Sequence, residues 1–421
     1  MPRLNKPIAV IGAGVAGVTT AYKLAKAGYE VCLFEKHNYP AMETSYANGG
    51  QLSASNAEVW NSWTTVLKGM KWMLTPSAPL LLNPKPSWHK LSWLAEFLGG
   101  IGKYEASTET TARMAISARA HLKAMAEEEG ISFDCEMRGI LHFYRSREAF
   151  ESATRVTEVL GRAGLHRRAV TPREIESIEP ALKGRLYGGY YTESDFTGDI
   201  HKFTVGLAEA CRRLGVVQKF GCEIIGVSSG ADGIRIRCTS PHSFDEAITA
   251  NHDLQFSKVV ICAGVHSRKF AAQLGDRVNV YPVKGYSITV CLNEPVDREA
   301  APWVSLLDDD AKVVTSRLGK DRFRVAGTAE FNGFNLDIRN DRIAPLIAWC
   351  QKHFPGMSTR QCIPWAGLRP MMPDMMPRVF SGRKPGVHGH LGWTLSAATA
   401  EIITLRILEA DRAGSDTGNG D

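Results

Sequence analysis

The sequence predicts an α/β fold in which a Rossmann-type, discontinuous nucleotide-binding domain is joined to an α+β domain with a mainly antiparallel sheet. Three observations predict it. Residues 8–35, IAVIGAGVAGVTTAYKLAKAGYEVCLFE, give an apolar run, a glycine turn, an amphipathic stretch and a second apolar run ending in an acid. The apolar run in KVVICAGVHS, closed by Ala263 and Gly264, reads as a late strand returning beside the first. Residues 59–195 begin with helical patterns and then give the strand GILHFYR, while 281–361 carry alternating strands such as YSITVCL and RFRVAG.

Each position in the first unit has its own task. Ile8-Ala9-Val10-Ile11 is short and continuous, as a parallel strand covered on both faces requires. Gly12 permits the tight turn, Gly14 lets the backbone approach a pyrophosphate, and Gly17 lets the next helix lie close to the strand. Val15 and Ala16 open that helix, whose first N–H groups and dipole favour phosphate charge. Val18, Ala21, Leu24 and Ala25 set one face inward, Gly28 ends the helix, and Tyr29 to Phe34 form the second strand. Glu35 follows Gly17 by 18 residues, close to the spacing at which an acid accepts hydrogen bonds from a ribose. Its charge disfavours a 2′-phosphate.

This unit leaves FAD and NAD open. Residues 43–53, ETSYANGGQLS, are either an ordinary polar loop or a segment running beneath an isoalloxazine. In the second case Thr44, Ser45, Asn48 and Gln51 supply donors and acceptors, and Gly49 and Gly50 allow close backbone approach. Together with YPVKGYSIT, FRVAGTAEFNGFN, WAGLRPMMPD and HGHLGWT, these motifs span Gly12 to Thr394. In that order they resemble the amine-oxidising flavoproteins of the D-amino acid oxidase superfamily, and most of all its bacterial D-amino acid dehydrogenase (small subunit) branch.

The resemblance implies noncovalent FAD, held at the residues above together with Lys36, Ala263, Gly264, Gly389, Leu391, Gly392, Trp393 and Thr394. It implies an FAD domain of residues 1–58, 196–280 and 362–412, a substrate domain of 59–195 and 281–361, and a disordered tail at 413–421. It places Arg369, in GLRP, where the superfamily grips an amino acid carboxylate, a task suited to a planar cation with two parallel donors. Tyr286 has two readings, a cover for the substrate or a core tyrosine with its hydroxyl satisfied. Arg317 reads mainly as a surface arginine, with a second polar contact as the alternative; His388 and His390 read as structural or exposed, with a general base as the less favoured alternative. The implied reaction is oxidative deamination of a D-amino acid or related imino acid, with electrons passed to a respiratory quinone or redox protein. An oxygen-using oxidase and a noncatalytic FAD-binding subunit are the alternatives.

Composition agrees with a large enzyme. The 421 residues are 44% hydrophobic and 22% charged, and a net charge of +6 without a basic block gives no support to nucleic-acid binding. Nine cysteines without a CxxC pair or metal spacing read as reduced thiols, with no metal site. The first strand begins at residue 8, leaving no room for a signal peptide, so a cytoplasmic location is expected, with a peripheral contact at the inner membrane as a further option. That contact is suggested by Trp60, Trp63, Trp72, Trp88 and Trp93, interleaved with Met70, Met73, Lys68, Lys71, Lys85 and Lys90. Such a stretch either packs as a lid over the site or lies in a membrane interface. One departure from the family pattern stands out. Val379-Phe380 is followed at once by SGRKPGVHG, so the strand expected before the HG loop is shortened or missing.

Overall fold

A computed structural model describes residues 7–72, 78–239, 252–389 and 395–416. Among these, the strands form sheets of six, nine, three and two. Ile8–Ile11 is fully buried and pairs in parallel with Val31–Phe34 on one side and Lys258–Ile261 on the other. Val217–Lys219 and Val387–Gly389 extend this parallel sheet, and Phe380–Ser381 closes it antiparallel. The expected shortening is therefore seen as a two-residue strand, while Val387–Gly389 keeps the sheet intact beside Lys258–Ile261.

The helix Val15–Lys26 follows the glycine turn and buries Val18, Ala21 and Leu24 completely. Burial of such aliphatic side chains contributes about 1.5–3 kcal/mol each for the larger ones. Gly28, at φ +89°, turns the chain out of the helix, and the second strand begins at Val31 rather than Tyr29. Ile200, Phe203, Leu207, Ile403 and Ile407, from the helices Ile200–Arg213 and Ser396–Asp416, share its core. The last helix runs four residues into the segment read as a disordered tail. Asp411 anchors it, accepting from the Tyr29 hydroxyl at 2.8 Å and pairing with Lys258 at 2.7 Å. Residues 417–421 lie outside the described residues.

The larger sheet runs in the order Cys362–Met371, Tyr281–Cys291, Arg322–Phe331, Val313–Leu318, Ser305–Asp308, Ile140–Tyr144, Gly188–Thr192 and Arg168–Val170, with Leu80–Leu82 added beside Arg322–Phe331. It is mainly antiparallel, with parallel pairings at Ser305–Asp308 and Leu80–Leu82. Cys362–Met371 bonds along the whole of Tyr281–Val290, so this segment joins the antiparallel sheet, and the chain returns to the parallel sheet only beyond Met371.

Candidate active site

A cavity of about 960 Å³ opens between the two large sheets. Its lining includes Gly12, Gly14, Val15, Ala16, Glu35, Lys36, the Thr44, Ser45, Asn48, Gly49, Gly50 and Gln51 stretch, and Ala263 and Gly264. The fold thus brings together residues separated by more than two hundred positions. The first turn fits a dinucleotide. Gly12 has φ +99°, and a Cβ there would meet the Cys262 carbonyl oxygen at 2.7 Å. Gly17 is outside the lining, because it makes the helix contact: a Cβ would lie 1.7 Å from the Gly12 carbonyl oxygen. The Glu35 carboxylate is held at the end of its strand by the N–H groups of Ala13, at 2.8 Å, and His37, at 3.0 Å.

The polar loop lines the cavity and is anchored by its own side chains. Thr44 donates its hydroxyl to the Leu368 carbonyl at 2.7 Å, Gln51 donates to Ser305 Oγ at 2.8 Å, and Asn48 accepts from the Gly50 N–H at 2.9 Å. Ser45 Oγ receives the Val15 N–H at 3.1 Å, at the start of the first helix. These bonds stitch the loop to the large sheet and to the start of the first helix. Gly49 and Gly50 pack it directly on Val314 and Ser316, where a Cβ would come within 2.8 and 3.0 Å. Arg324, pushed down to about 10 by burial, donates to the Asn48 carbonyl and braces the loop from below.

Beyond this loop stands Arg369. Its strand pairs Arg369 with Val283, which puts the side chain on the face of Gly285. A Cβ on Gly285 would meet Arg369 Nε at 2.6 Å, so this glycine is the notch in which the guanidinium lies. No described residue offers Arg369 a hydrogen bond or ion pair, and desolvation pushes its pKa down. Its remaining accessible surface is cavity wall. A desolvated cation without a counter-charge is a site for an anion.

Other expected residues fall elsewhere. Tyr286, adjacent to Gly285, projects to the opposite face into the core with Ile288 and Phe323, and its hydroxyl donates to the Asp337 carbonyl at 3.4 Å. Its ring packs in the core and the residue also borders the cavity, so both of its readings keep support. Arg317 is buried, giving its guanidinium to the carbonyls of Arg298, Ala301, Gly319 and Lys320 and lying over Trp303. His388 is buried and pushed down to about 4, chiefly by burial. Gly389 is a strand residue packed on the Phe380 ring, outside the cavity lining. His390, Leu391, Gly392, Trp393 and Thr394 lie outside the described residues.

Sequence reading missed the far end of the cavity, where Ser55, Glu58, Tyr104, His142, Tyr144 and Arg167 converge. No motif signals them, because they come from separate stretches of the sequence. Asp195 organises this end. Buried, it accepts from the N–H groups of Ala54 and Ser55 at 2.9 and 3.0 Å and pairs with Arg119.

The chain is 56% identical over 401 residues, 94% of its own length and 95% of the relative's, to "D-amino acid dehydrogenase 3" of Mesorhizobium japonicum. It is 39% identical over 413 residues, covering 94% and 93%, to a D-amino acid dehydrogenase of Paramagnetospirillum magneticum. Its fold matches glycine oxidase from Geobacillus kaustophilus, with a TM-score of 0.73 at 19% identity and 95% of both chains covered. L-Proline dehydrogenase from P. horikoshii also reaches 0.73, at 16% identity over 96% of this chain and 94% of that one. The model of the family described as FAD dependent oxidoreductase matches residues 7–406, from the first strand into the last helix. With the glycine cradle, the acid and the two sheets all inside that match, the chain belongs to the FAD dependent oxidoreductase (DAO) family.

Proposed function

We propose that this enzyme oxidatively deaminates D-amino acids with FAD and passes the electrons to a quinone at a membrane surface. The observation that carries the substrate reading is Arg369, an unpaired guanidinium notched against Gly285 in the cavity that the cofactor residues line. The curated relatives favour the D series.

When bound, FAD supplies a hydride acceptor at N5. The protein supplies orientation. Arg369 takes the substrate carboxylate through two parallel N–H donors, which fixes Cα in place. Gly12, Gly14 and Glu35 hold the dinucleotide. Gly49 and Gly50 let the loop lie flat on the large sheet, at the cavity wall where a flavin would be held. A neutral substrate amine then releases the Cα hydrogen as hydride, loses its N–H proton to solvent as an imine, and is hydrolysed to a 2-oxo acid and ammonia. Positioning of this kind accounts for much of the rate, and no protein base is required.

The quinone reading rests on the helix Trp63–Trp72, in which no residue is buried. Trp63 and Leu67 are each 64% exposed and Met70 55%, while Lys68 and Lys71 are also exposed. Lys90, by contrast, is buried and caps the carbonyls of Asn83 and Lys85 at 2.5 Å. No helix among the described residues is long and apolar enough to cross a membrane.

Anaerobic bleaching of the flavin by paired D- and L-amino acids tests the substrate reading. Bleaching by the D forms alone is expected; equal bleaching by L forms, or none by either, overturns it.

A further inference from the structure

The cavity is longer than an amino acid needs. Arg369, Gly285, Thr328, Val314, Leu307 and Tyr144 all line it, and they come from six adjacent strands of the large sheet. From the Arg369 strand to the Tyr144 strand there are five spacings, about 24 Å between strand axes. An amino acid held at Arg369 fills only the first part of that length. The glycine turn and Glu35 stand at the ends of the parallel strands, so the groove over the large sheet is a separate arm of the cavity.

Beyond Tyr144 the groove reaches solvent. Its lining continues with Tyr104 and Glu105 on the helix Tyr104–Glu128, and with Ser152, Arg155, Glu158 and Arg162 on the helix Arg147–Arg162. Glu105, Arg155, Glu158 and Arg162 are exposed, so the space between these helices is a mouth. Arg162 spans the two helices there, bonding Glu105 and Glu109 at 2.6 Å each. Ion pairs as exposed as these are weak and give way readily.

The groove is charged, but evenly. Arg167 lies near the Glu58 carboxylate and the Tyr144 hydroxyl, and Lys312 pairs with Asp309. All five residues line it. Walls that offer both signs suit a zwitterion, whose ammonium and carboxylate each find a complement along the way. A second opening lies beside the helix Trp63–Trp72, where Thr64 and Lys68 are both exposed and part of the lining. The outward face of that helix is apolar, with Trp63, Leu67 and Met70 exposed. With this face on a membrane, the opening is reached through lipid, which admits a quinone and excludes a zwitterion.

We propose that the two mouths divide the traffic. The amino acid enters, and the oxo acid leaves, between the helices Tyr104–Glu128 and Arg147–Arg162, while the electron acceptor uses the opening beside Trp63–Trp72. This rests on the D-amino acid and quinone readings above and gives each half-reaction its own route.

The two half-reactions test it separately. Ser152→Cys and, at an exposed position, Glu158→Cys are each labelled with a bulky maleimide on the FAD-loaded enzyme and compared with the same variant unlabelled. Parent protein treated identically is the control, because its own exposed Cys135 is outside the cavity lining. The substrate is the D-amino acid that bleaches the parent flavin most readily. Labelling at either position is expected to lower the second-order rate constant of anaerobic flavin reduction at least about tenfold. Reoxidation of the dithionite-reduced enzyme by a short-chain quinone should change less than about twofold. A label at Thr64→Cys should reverse the pattern. Reduction that is unaffected by labels at both Ser152→Cys and Glu158→Cys overturns the proposal, as does a label there that slows quinone reoxidation and spares reduction. If a short-chain quinone does not reoxidise the parent, the quinone reading and the acceptor route fall, and the substrate entrance is judged by reduction alone. If no D-amino acid bleaches the parent, the amino acid reading falls and takes the entrance with it.

Discussion

Arg369 concentrates the chemistry of the site in one side chain, and its neighbour explains how it is held. Gly285 provides the space, and the lack of any partner among the described residues leaves both donor edges of the guanidinium for a ligand. Arg369→Ala should therefore retain its flavin and lose substrate binding. Truncating one member of a buried charge pair costs about 2–5 kcal/mol, or roughly 30-fold to several-thousand-fold in kcat/KM. Steady-state kinetics on flavin-replete protein checks this, and unchanged kcat/KM removes Arg369 from the site. Arg369 was legible because it lies in a short motif whose neighbours are local in sequence. Tyr286 was ambiguous because alternation along its strand says only that it faces away from Gly285. Which face meets the cavity depends on strands paired from 322–331 and 362–371.

At the scale of elements, the helix Trp63–Trp72 is oriented against the usual rule. At 100° per residue, Trp63, Leu67 and Met70 fall on one face, while Thr65, Lys68 and Trp72 fall opposite. The second set lines the cavity, and the first is exposed. A surface helix normally turns its apolar stripe inward, so this one is both a wall of the site and a candidate membrane contact. The sequence presented lid and membrane as alternatives, and the structure divides the tryptophans: Trp93 is buried against Phe97, Tyr281 and Phe331, whereas Trp63 and Trp88 are exposed. Burying Leu67 or Met70 fully contributes about 1.5–3 kcal/mol each, and each lysine near an anionic surface about 1 kcal/mol. The protein should sediment with vesicles containing anionic lipid, and the triple variant Trp63→Ser, Leu67→Ser, Met70→Ser should not. The triple variant should keep turnover with a soluble dye acceptor and lose it with a quinone embedded in vesicles. Wild-type protein that stays in the supernatant with such vesicles removes the membrane reading, and peroxide release in air would favour the oxidase instead.

Across the whole molecule, the cavity lies between two sheets whose strands alternate along the sequence, so a cofactor bound there would bridge them. The parallel sheet was legible because its first unit is local: strand, turn, helix and acid fall within residues 8–35. The place of Cys362–Met371 was not, since a ten-residue strand reads the same whichever sheet it joins. Binding to the folded state alone stabilises it by about 2.7 kcal/mol when FAD is at a hundred times its Kd. Glu35 should control much of this increment. Its carboxylate already accepts two backbone N–H groups, which fixes it at the strand end and leaves further lone pairs for a ribose. Glu35→Ala therefore has two separable effects. Loss of the Ala13 and His37 hydrogen bonds destabilises the apoprotein by about 1–3 kcal/mol, and loss of the ribose contact shrinks the additional stabilisation by FAD, about 1.4 kcal/mol for each tenfold rise in Kd. Unfolding of apoprotein and FAD-saturated protein, for parent and variant, resolves the two. An at least tenfold weaker Kd is expected; an FAD increment as large in the variant as in the parent would limit Glu35 to bracing the turn.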